Sequence, residues 1–530
     1  MITKIKQALG MGSPDPMTGR TIIINAEKLE RRVALLEDGI LEEYNVEREG
    51  DDNIVGGIFK GRVKNIEQGL KAMFVDIGLE KNAFLHFWDA IPAALDGGLE
   101  VIEREGRPRK KQKKITSKDI PSIYPVGSEI MIQVSKGAIG NKGPRVTTNI
   151  SLAGRYLVLL PYSDQCGISR KIDDPKERQR LRKITQKLQI PDGMGIIMRT
   201  AAIGIRGRHL VRDLAMLLEQ WEQVEDRRDA KPAPVACFRE PGLVERTARD
   251  FLTDEVHQVI CDDLATTENI REVAGKISRR AKRRIHHLPS KQAIFDKVGI
   301  QKQIDEAFMR QVWLPCGGYL VIDETEALIA VDVNTGRNRG SKDVDKMLLQ
   351  TNVEAAEEVA RQLRLRNIGG LVVVDFIDMR HRRDQQAVYR AMKERLKRDK
   401  AKTQVLQISS VGLMEMTRQR LNESLLDTMY EPCPYCQGRA RIKTPMTMSV
   451  EIQRRLQTII LRHAEQNNSG DLIIVVNTDV LNRFKNEDSK LLMELERSHA
   501  GRLIFRSDPS LHREKFSIID AKSETPVFQS

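Results

Sequence analysis

The hydrophobic pattern of residues 317–378 constrains the fold more than any other feature of this chain. The segment reads as strand, strand, helix and strand, in the stretches GYLVIDE, ALIAVDVNTG, LLQTNVEAAEEVARQLRLRN and GLVVVDFIDM. Strands that alternate with a long amphipathic helix are typical of a layered α/β structure. The sequence therefore predicts a sheet covered by a helix in this part of the chain.

Polar side chains lie on two of these predicted strands, close to the strand ends. Strand side chains alternate between the two faces of a sheet, so Asp332 and Asn334 share one face. Asp375 follows the apolar run Leu371–Val374, and α/β sheets place ligand sites at the carboxyl ends of strands. Asp378 would point to the opposite face if the strand continued, and it is not included in the candidate site.

Two such carboxylates suit a magnesium ion, which prefers oxygen ligands and keeps several waters. In metal-assisted hydrolysis of a phosphodiester, the metal neutralises the non-bridging oxygens and lowers the pKa of the attacking water. Asn334 would then orient a water or the phosphate. The alternative is that each aspartate only caps a helix or a turn.

Length and charge limit the classes of protein to which the chain can belong. Its 530 residues suffice for about three to five domains. Lys and Arg (87) exceed Asp and Glu (74), which gives a net charge of +13 and a pI near 9.3. This excess predicts a polyanionic partner such as nucleic acid, with plain solubility as the alternative. No apolar run reaches the roughly 20 residues of a membrane helix and no secretory signal is evident, so we expect a cytoplasmic protein without a membrane-spanning segment.

Short strands and charged helices are predicted along the rest of the chain. Residues 21–49 read as three strands, and a compact β-barrel with tight turns is predicted from Gly56 onward. Residues 104–118 interrupt the barrel as a basic loop. Further helices are predicted over Pro175–Leu188, Leu210–Asp229, Thr247–Asp263 and Glu268–Arg284, before a small terminal α/β unit.

The pair Cys433 and Cys436 has the spacing of a zinc knuckle. A structural zinc needs four ligands, and the other four cysteines are scattered singly. Either the motif is a turn without metal, or a second copy of the chain supplies the other two thiolates. The second alternative predicts a homodimer with a zinc ion on its two-fold axis.

The order of these motifs resembles the ribonuclease E/G family of bacterial endoribonucleases over nearly the whole chain. The similar stretches are GRVKNIEQGLKAMFVDIGLEKNAFLH, GNKG at 140–143, SLAGRYLVLLP, GMGIIMRTA, GGYLVIDETEA, VDVNTGR, ARQLRLRNIGGLVVVDFIDM, EMTRQR and CPYCQGR. The sequences RQLRLRNIGG and VDVNTG are more similar to the ribonuclease G branch than to the ribonuclease E branch. The short terminal region also resembles ribonuclease G, since the ribonuclease E branch has a long scaffold tail.

The resemblance implies a multidomain α/β (α+β) fold. Its expected parts are a split ribonuclease H-like domain (1–52 and 246–308), an inserted OB-fold RNA-binding domain (53–148), a 5′-sensor region (149–245), a deoxyribonuclease I-like catalytic domain (309–430), a zinc-link (431–442) and a small C-terminal domain (443–530). It also implies that Cys433 and Cys436 share their zinc with a partner chain, in a homodimer or a higher oligomer.

The resemblance further implies a function for the carboxylates. Asp332 and Asp375 would be the magnesium ligands, with Asn334 beside them, and the products would carry a 5′-phosphate and a 3′-hydroxyl. Single-stranded RNA would be the substrate, in the processing of rRNA and tRNA precursors and the decay of mRNA. On the barrel, Phe74, Phe84 and Lys142 would contact RNA. Exposed aromatics on such a fold stack on bases, worth roughly 1–3 kcal/mol each, although a lone Phe is more commonly core.

A pocket for a 5′-monophosphate is implied as well. It maps to Arg199 and Thr200, with Gly154, Val158 and Arg170 nearby. Arg offers a planar fork for phosphate oxygens, and Thr adds a hydroxyl donor. The chain departs from the enterobacterial ribonuclease E pattern at Lys402, where that pattern has Arg. Lysine keeps the charge there but not the bidentate geometry.

Three candidate functions are consistent with parts of the sequence. An endoribonuclease accounts for the aspartates, the barrel and the pocket together. A non-catalytic RNA-binding or ribosome-associated factor would not need Asp332, Asn334 and Asp375 together. A deoxyribonuclease or phosphatase on the same α/β layer would not explain the barrel or the 5′ pocket. The sequence therefore favours a magnesium-dependent endoribonuclease.

Overall fold

The fold was obtained as a computed structural model and divides into two compact units, residues 1–428 and 429–530. The structure describes residues 18–529 except 50–53, 92–98, 103–114, 139–141, 170, 173, 252–255, 278, 290–291, 339–342, 421–423 and 467–469. Among the described helices, none combines the length and the apolar character needed to cross a membrane.

The first sheet of the larger unit brings together distant parts of the chain. Its five strands are, in spatial order, Ile285–His287, Val256–Cys261, Arg20–Ala26, Glu30–Glu37 and Ile40–Arg48. The helices Leu243–Phe251 and Leu264–Ile277 pack on it, and short helices follow at Arg279–Lys282, Ile294–Val298 and Gln301–Ala307. The three strands predicted within residues 21–49 are confirmed.

The helix predicted over Thr247–Asp263 is wrong from Val256 onward, and residues 252–255 lie outside the described part of the chain. Residues Val256–Cys261 form a strand, which pairs in parallel with Arg20–Ala26. Its residues Val256, Val259 and Ile260 are buried in the sheet. Pairing with a strand more than 200 residues earlier in the chain therefore outweighs the local helical pattern.

Five strands close into a barrel, which confirms the β-barrel prediction. They are Ile58–Glu67, Ala72–Asp76, Ala83–His86, Arg145–Thr147 and Glu129–Lys136, and the last pairs with the first to close the ring. The strand Val235–Phe238 adds to the edge of Ile58–Glu67, and short helical turns lie at Phe87–Ala90 and Ile120–Ile123. Five closed strands are consistent with an OB fold. Most of the predicted basic loop 104–118 lies outside the described residues.

A third sheet, the middle sheet, contains Leu152–Ala153, Leu157–Leu160, Gly195–Met198, Cys166–Ser169 and Leu99–Ile102 in that spatial order. The helices Pro175–Lys187 and Gly207–Ala230 cover it, and a short 3₁₀ turn spans Thr200–Ala202. Both helices agree with the prediction within a few residues at each end.

The largest sheet has one covered and one open face. Its strands are, in spatial order, Gln311–Trp313, Tyr319–Glu324, Leu328–Asn334, Gly370–Asp375, Leu413–Arg418 and Thr403–Val405. The helices Val344–Leu365 and Arg382–Leu396 pack on one face, where strand residues such as Val331, Val333 and Val374 are buried. The α/β layer predicted from residues 317–378 is therefore confirmed.

The described residues of the smaller unit form a four-stranded sheet with three helices. Its strands are, in spatial order, Leu503–Ser507, Leu472–Val476, Phe516–Asp520 and Pro526–Gln529, and its helices are Pro445–Glu465, Thr478–Asn486 and Ser489–Arg497. The helix Leu425–Met429 spans the junction of the two units along the chain. The predicted small terminal α/β unit is confirmed.

A buried ion pair ties the last long strand of the large sheet to the segment after its second helix. Arg418 Nε lies 2.7 Å from Asp399 Oδ2, and both side chains are almost fully buried. Arg418 also donates to the carbonyl oxygen of Ile368 at 2.7 Å. A buried charge that keeps its partner is tolerated, whereas one left alone is strongly destabilising.

We expect Arg418→Met to lower the free energy of unfolding by about 3–5 kcal/mol, because Asp399 would remain buried without its counter-ion. Urea denaturation followed by circular dichroism would measure the change. The control is Arg310→Met, which removes a solvent-exposed pair with Asp323 at 2.6 Å and should change stability little. Equal effects of the two substitutions would contradict the role given to the buried pair.

Candidate functional site

Asp332 and Asp375 lie side by side on the open face of the large sheet. Their strands run parallel, and the two aspartates are register partners. Both are exposed, whereas the flanking Val331, Val333 and Val374 are buried under the helices. Neighbouring strands lie about 4.8 Å apart. The two carboxylates therefore project together into solvent from adjacent strands.

Asn334 holds one of these carboxylates in place, since its Nδ2 donates a hydrogen bond to Asp332 Oδ2 at 2.8 Å. Among the described residues, no Lys or Arg forms an ion pair with Asp332 or Asp375. Two adjacent carboxylates without a counter-cation repel each other, and a divalent cation between them would remove that repulsion.

The two carboxylates of Asp332 and Asp375 fit magnesium better than a metal whose ligands must all come from protein side chains. Within the part of the chain that the structure describes, no group of three or more His, Cys, Asp or Glu residues could hold a metal. Magnesium is commonly bound through one or two carboxylates and keeps several waters. The pair Asp332 and Asp375, exposed to solvent, meets that requirement.

Two buried polar residues of the helix Val344–Leu365 position the chain beyond both strands. Asn352 donates to the carbonyl oxygen of Ile377 at 2.8 Å and accepts from the Ile377 amide at 3.1 Å. Thr351 accepts a hydrogen bond from Asn338 at 3.1 Å. Neither residue is predicted from the sequence, because a polar residue inside an amphipathic helix gives no local sign of which distant backbone it meets.

Asp378 does not join the carboxylate pair. The strand ends at Asp375, and Asp378 lines a separate cavity of about 230 Å³ together with Arg380, Gln385 and Ser410. Gly412 faces it with φ +86°, and a Cβ there would lie 3.4 Å from Asp378 Oδ1.

The barrel carries its two candidate phenylalanines on the outside. Phe74 and Phe84 are register partners on neighbouring strands, with ring centroids 5.9 Å apart at 71°. Both are half-buried, while the alternate residues Met73 and Leu85 are fully buried in the barrel core. The two half-buried rings therefore lie next to each other on one outer surface of the barrel.

Lys142 directly precedes two residues that pack closely against the strand of Phe84. A Cβ on Gly143 would lie 2.1 Å from the carbonyl oxygen of Asn82, so only glycine fits there. The Phe84 amide donates to the carbonyl oxygen of Pro144 at 2.7 Å. Lys142 itself is exposed. The close packing of Gly143 and Pro144 therefore places the adjacent Lys142 near the end of the strand that carries Phe84.

Arg199 and Gly154 of the candidate 5′ pocket meet in the middle sheet. Arg199 Nη1 donates to the carbonyl oxygen of Gly154 and lies 2.8 Å from Asp250 Oδ1. Val158 is half-buried on the neighbouring strand, and Thr200 is exposed directly after Arg199. Lys402 is exposed just before Thr403–Val405 of the large sheet. Arg170 lies outside the described residues.

Two aspartates that the sequence analysis missed anchor this region. Asp213 accepts hydrogen bonds from three backbone amides, those of residues 155, 156 and 157, at 2.8–3.2 Å. Asp250 lies against Arg199 and Arg249. Burial raises the pKa of Asp250, but the two guanidinium groups outweigh it and hold the pKa below its ordinary value. No spacing signal could have found either residue, since each meets groups about 50 residues away.

Cys433 and Cys436 lie in a tight turn of the smaller unit. The Gln437 amide donates to the carbonyl oxygen of Cys433 at 2.7 Å, and Gln437 and Gly438 both have positive φ. Backbone amides of Cys436 and Tyr435 donate to the Cys433 sulfur and lower the pKa of that thiol. The turn therefore presents two sulfurs, that of Cys433 exposed and that of Cys436 half-exposed.

Two family models match the chain. A family model described as Ribonuclease E/G family matches residues 151–421, and one described as RNase E/G, Thioredoxin-like domain matches residues 432–522. Ribonuclease G of Escherichia coli strain K12 is 36% identical over 498 residues, which cover 94% of this chain and 99% of that protein.

The chain belongs to the ribonuclease E/G family. The resemblance inferred from its motifs is thereby confirmed. Other family members extend the comparison: Ribonuclease G of Haemophilus influenzae is 33% identical over 94% of this chain and 99% of its own length. Ribonuclease E of Escherichia coli strain K12 is 33% identical over 96% of this chain but only 47% of its own length. The similarity to ribonuclease G thus runs over almost the full length of both chains.

We expect Asp250→Asn to destabilise the protein at pH 7 and to matter progressively less as the medium is acidified. A carboxyl whose pKa is lowered by folding contributes stability above its unfolded pKa, near 3.8, and loses it as the pH falls through the folded value. Urea unfolding of both proteins between pH 7 and pH 3 would measure the difference. The exposed Asp226→Asn serves as control and should leave stability nearly unchanged. A difference for Asp250→Asn that is constant with pH would contradict the ion-pair account.

Proposed function

We propose that this chain is an endoribonuclease that hydrolyses single-stranded RNA with magnesium held by Asp332 and Asp375. The observation that carries the proposal is the register pairing of these two aspartates on an open sheet face without a counter-cation among the described residues. The names ribonuclease G and ribonuclease E of its relatives support the same activity.

Asp332, Asp375 and Asn334 on the open face would each have a separate role in the hydrolysis of the phosphodiester. A magnesium ion bound there supplies charge neutralisation at the cleaved phosphate and a water of lowered pKa. Asp332 and Asp375 hold the site and keep their oxygens aligned. Asn334 fixes the Asp332 carboxylate through a hydrogen bond from its amide nitrogen. Hydrolysis at this site would leave a 5′-phosphate and a 3′-hydroxyl.

An open surface suits a polymer. The carboxylates stand on an uncovered sheet face and not at the bottom of a closed cavity, so a long chain can cross them. Phe74 and Phe84 would stack on bases of single-stranded RNA, and Lys142 would pair with its phosphates. The net charge of +13 favours the same partner.

The middle sheet would sense the 5′ end of the RNA. Arg199 and Thr200 are the candidate phosphate donors, with Gly154, Val158 and Arg170 around them and Lys402 as a further cation. Asp250 holds one side of the Arg199 guanidinium. A triphosphate is bulkier and more charged than a monophosphate, so the proposed preference is for monophosphorylated ends.

We also propose an assignment for each sheet of the larger unit. The first sheet would be the ribonuclease H-like domain (1–52 and 246–308), the barrel the OB-fold domain (53–148), the middle sheet the 5′-sensor (149–245) and the large sheet the deoxyribonuclease I-like domain (309–430). The substrates would be rRNA and tRNA precursors and mRNA of a bacterial cytoplasm.

The cysteine turn would join two chains. Cys433 and Cys436 supply two thiolates, and a structural zinc site takes four. A second chain related by a two-fold axis would complete the set with the same two residues. The hydrogen-bonded sulfur of Cys433 suits this role, since zinc binds thiolates. We therefore propose a zinc-linked homodimer.

We expect Asp332→Asn and Asp375→Asn each to lower the rate of RNA cleavage by about 100-fold or more, since several kcal/mol of transition-state stabilisation depend on the metal. The assay uses a fluorescent, 5′-monophosphorylated, AU-rich single-stranded RNA with Mg²⁺, and with a chelator in a parallel sample.

The matched control is Asp323→Asn, an aspartate of the same sheet that pairs with Arg310 instead. It should retain cleavage within about threefold. If the wild-type chain binds this RNA but never cuts it, the alternative of a non-catalytic RNA-binding or ribosome-associated factor is correct.

We expect Cys433→Ser to convert the dimer into a monomer, because a zinc site with only two of its four thiolates is too weak to join two chains. Native mass spectrometry should show about one zinc per two chains in the wild type and half the mass without zinc in the variant. Cys316→Ser, which changes a single cysteine outside the turn, should leave the mass unchanged. An unchanged mass for Cys433→Ser would refute the zinc link.

A further inference from the structure

A pair of aromatic side chains lies on the open face of the large sheet, beside the carboxylates. Trp313 is on the edge strand and is 54% exposed. It is the register partner of Tyr319, and Tyr319 is the register partner of Asn334. Register partners share a face, so Trp313 and Tyr319 lie on the same face as Asn334 and Asp332.

The two rings form a defined surface together with one cation. The ring centroids of Trp313 and Tyr319 are 5.4 Å apart at 60°. The guanidinium carbon of Arg337 lies 5.4 Å from the Trp313 ring centroid, within cation–π range. We call these three residues the aromatic site. More than half of the Trp313 surface remains open to solvent with Arg337 in place.

The backbone places Arg337 there, because its turn packs closely on the loop between the first two strands. The Arg337 amide donates to the carbonyl oxygen of Gly317 at 3.0 Å. A Cβ on Gly336 would lie 2.5 Å from that same oxygen and 3.1 Å from the Tyr319 ring. Gly336 and Gly317 both have positive φ. The turn that carries Arg337 is therefore held against Tyr319 by backbone contacts.

The aromatic site lies at the distance of a neighbouring nucleotide. With about 4.8 Å between strands and about 3.3 Å per residue, Asp332 is about 8 Å from Tyr319 and about 12 Å from Trp313 at the Cα level. A polynucleotide whose phosphate lies over the carboxylates would thus bring a nearby base to these rings. Arg337 would meet the phosphate next to that base.

We propose that Trp313, Tyr319 and Arg337 bind a nucleobase of the RNA close to the cleaved bond and hold the chain in register over Asp332 and Asp375. This inference rests on the proposed function. Base stacking tolerates any base and needs an accessible ring, and the Trp313 side chain is 54% exposed. An exposed tryptophan beside an arginine offers a stacking surface for a base and a cation for a phosphate, the two contacts by which proteins hold single-stranded nucleic acid.

The test is a cycle that combines two protein variants with modified RNAs. Trp313→Leu removes the ring and keeps apolar bulk, whereas Trp313→Phe keeps a ring. Each protein is assayed on the same 5′-monophosphorylated RNA, intact or with one abasic nucleotide placed in turn at each position around the cut. Binding is measured in parallel by fluorescence anisotropy with a chelator, and native mass and thermal unfolding are recorded for each variant.

We expect Trp313→Leu to lower kcat/KM on intact RNA by about 5- to 150-fold, the range for one stacked base, and Trp313→Phe to stay within about threefold of the wild type. When the abasic nucleotide is at one position near the cut, kcat/KM of the wild type should fall by a similar factor. The same abasic RNA should leave kcat/KM of Trp313→Leu almost unchanged. Such non-additivity is the sign of a direct contact.

The inference is overturned if Trp313→Leu cleaves and binds RNA like the wild type. It is also overturned if each abasic RNA lowers kcat/KM of the wild type and of Trp313→Leu by the same factor. A lower native mass of Trp313→Leu would assign the ring to an interface with a second copy of the chain instead. If the wild type does not cleave RNA, the proposed function fails, and the anisotropy cycle still decides whether a base contacts Trp313.

Discussion

The parallel pairing of Leu328–Asn334 with Gly370–Asp375 is the constraint on which the candidate site depends. In-register pairing places Asp332 opposite Asp375, and the covered face of the same sheet keeps both carboxylates pointing to solvent. A shift of one residue in either strand would send its aspartate under the helices, where an unpaired charge is very costly. The apolar core therefore determines the geometry of the polar site.

The regions around this sheet follow a common scheme, in which a polar residue secures the backbone that presents a candidate ligand contact. Asn352 holds the segment after Asp375. Asp213 holds the loop after Gly154 through three backbone amides. In the barrel, the tight packing of Gly143 has the same effect on Lys142. Loops are thus fixed where a mobile RNA chain would meet them, which reduces the entropy lost on binding.

Local periodicity was enough to predict three strands of the large sheet and the face shared by Asp332 and Asn334, because side-chain alternation is a property of each strand alone. The register between Asp332 and Asp375 could not be predicted from periodicity, since a long helix separates the two residues along the chain. The strand Val256–Cys261 was assigned wrongly because its partner lies at the start of the chain. Asp213, Asp250 and Asn352 were missed because they act on backbone or charges far along the sequence.

The central claim is that a metal held by Asp332 and Asp375 touches the phosphate that is cut. It is tested most directly with RNA in which sulfur replaces one non-bridging oxygen of that phosphate, by comparing cleavage rates in Mg²⁺ and in Mn²⁺. Sulfur is a soft ligand that suits Mn²⁺ better than Mg²⁺. The account predicts that one sulfur isomer is cut slowly in Mg²⁺ and that Mn²⁺ restores its rate. Equal slowing in both metals, for both isomers, would contradict it.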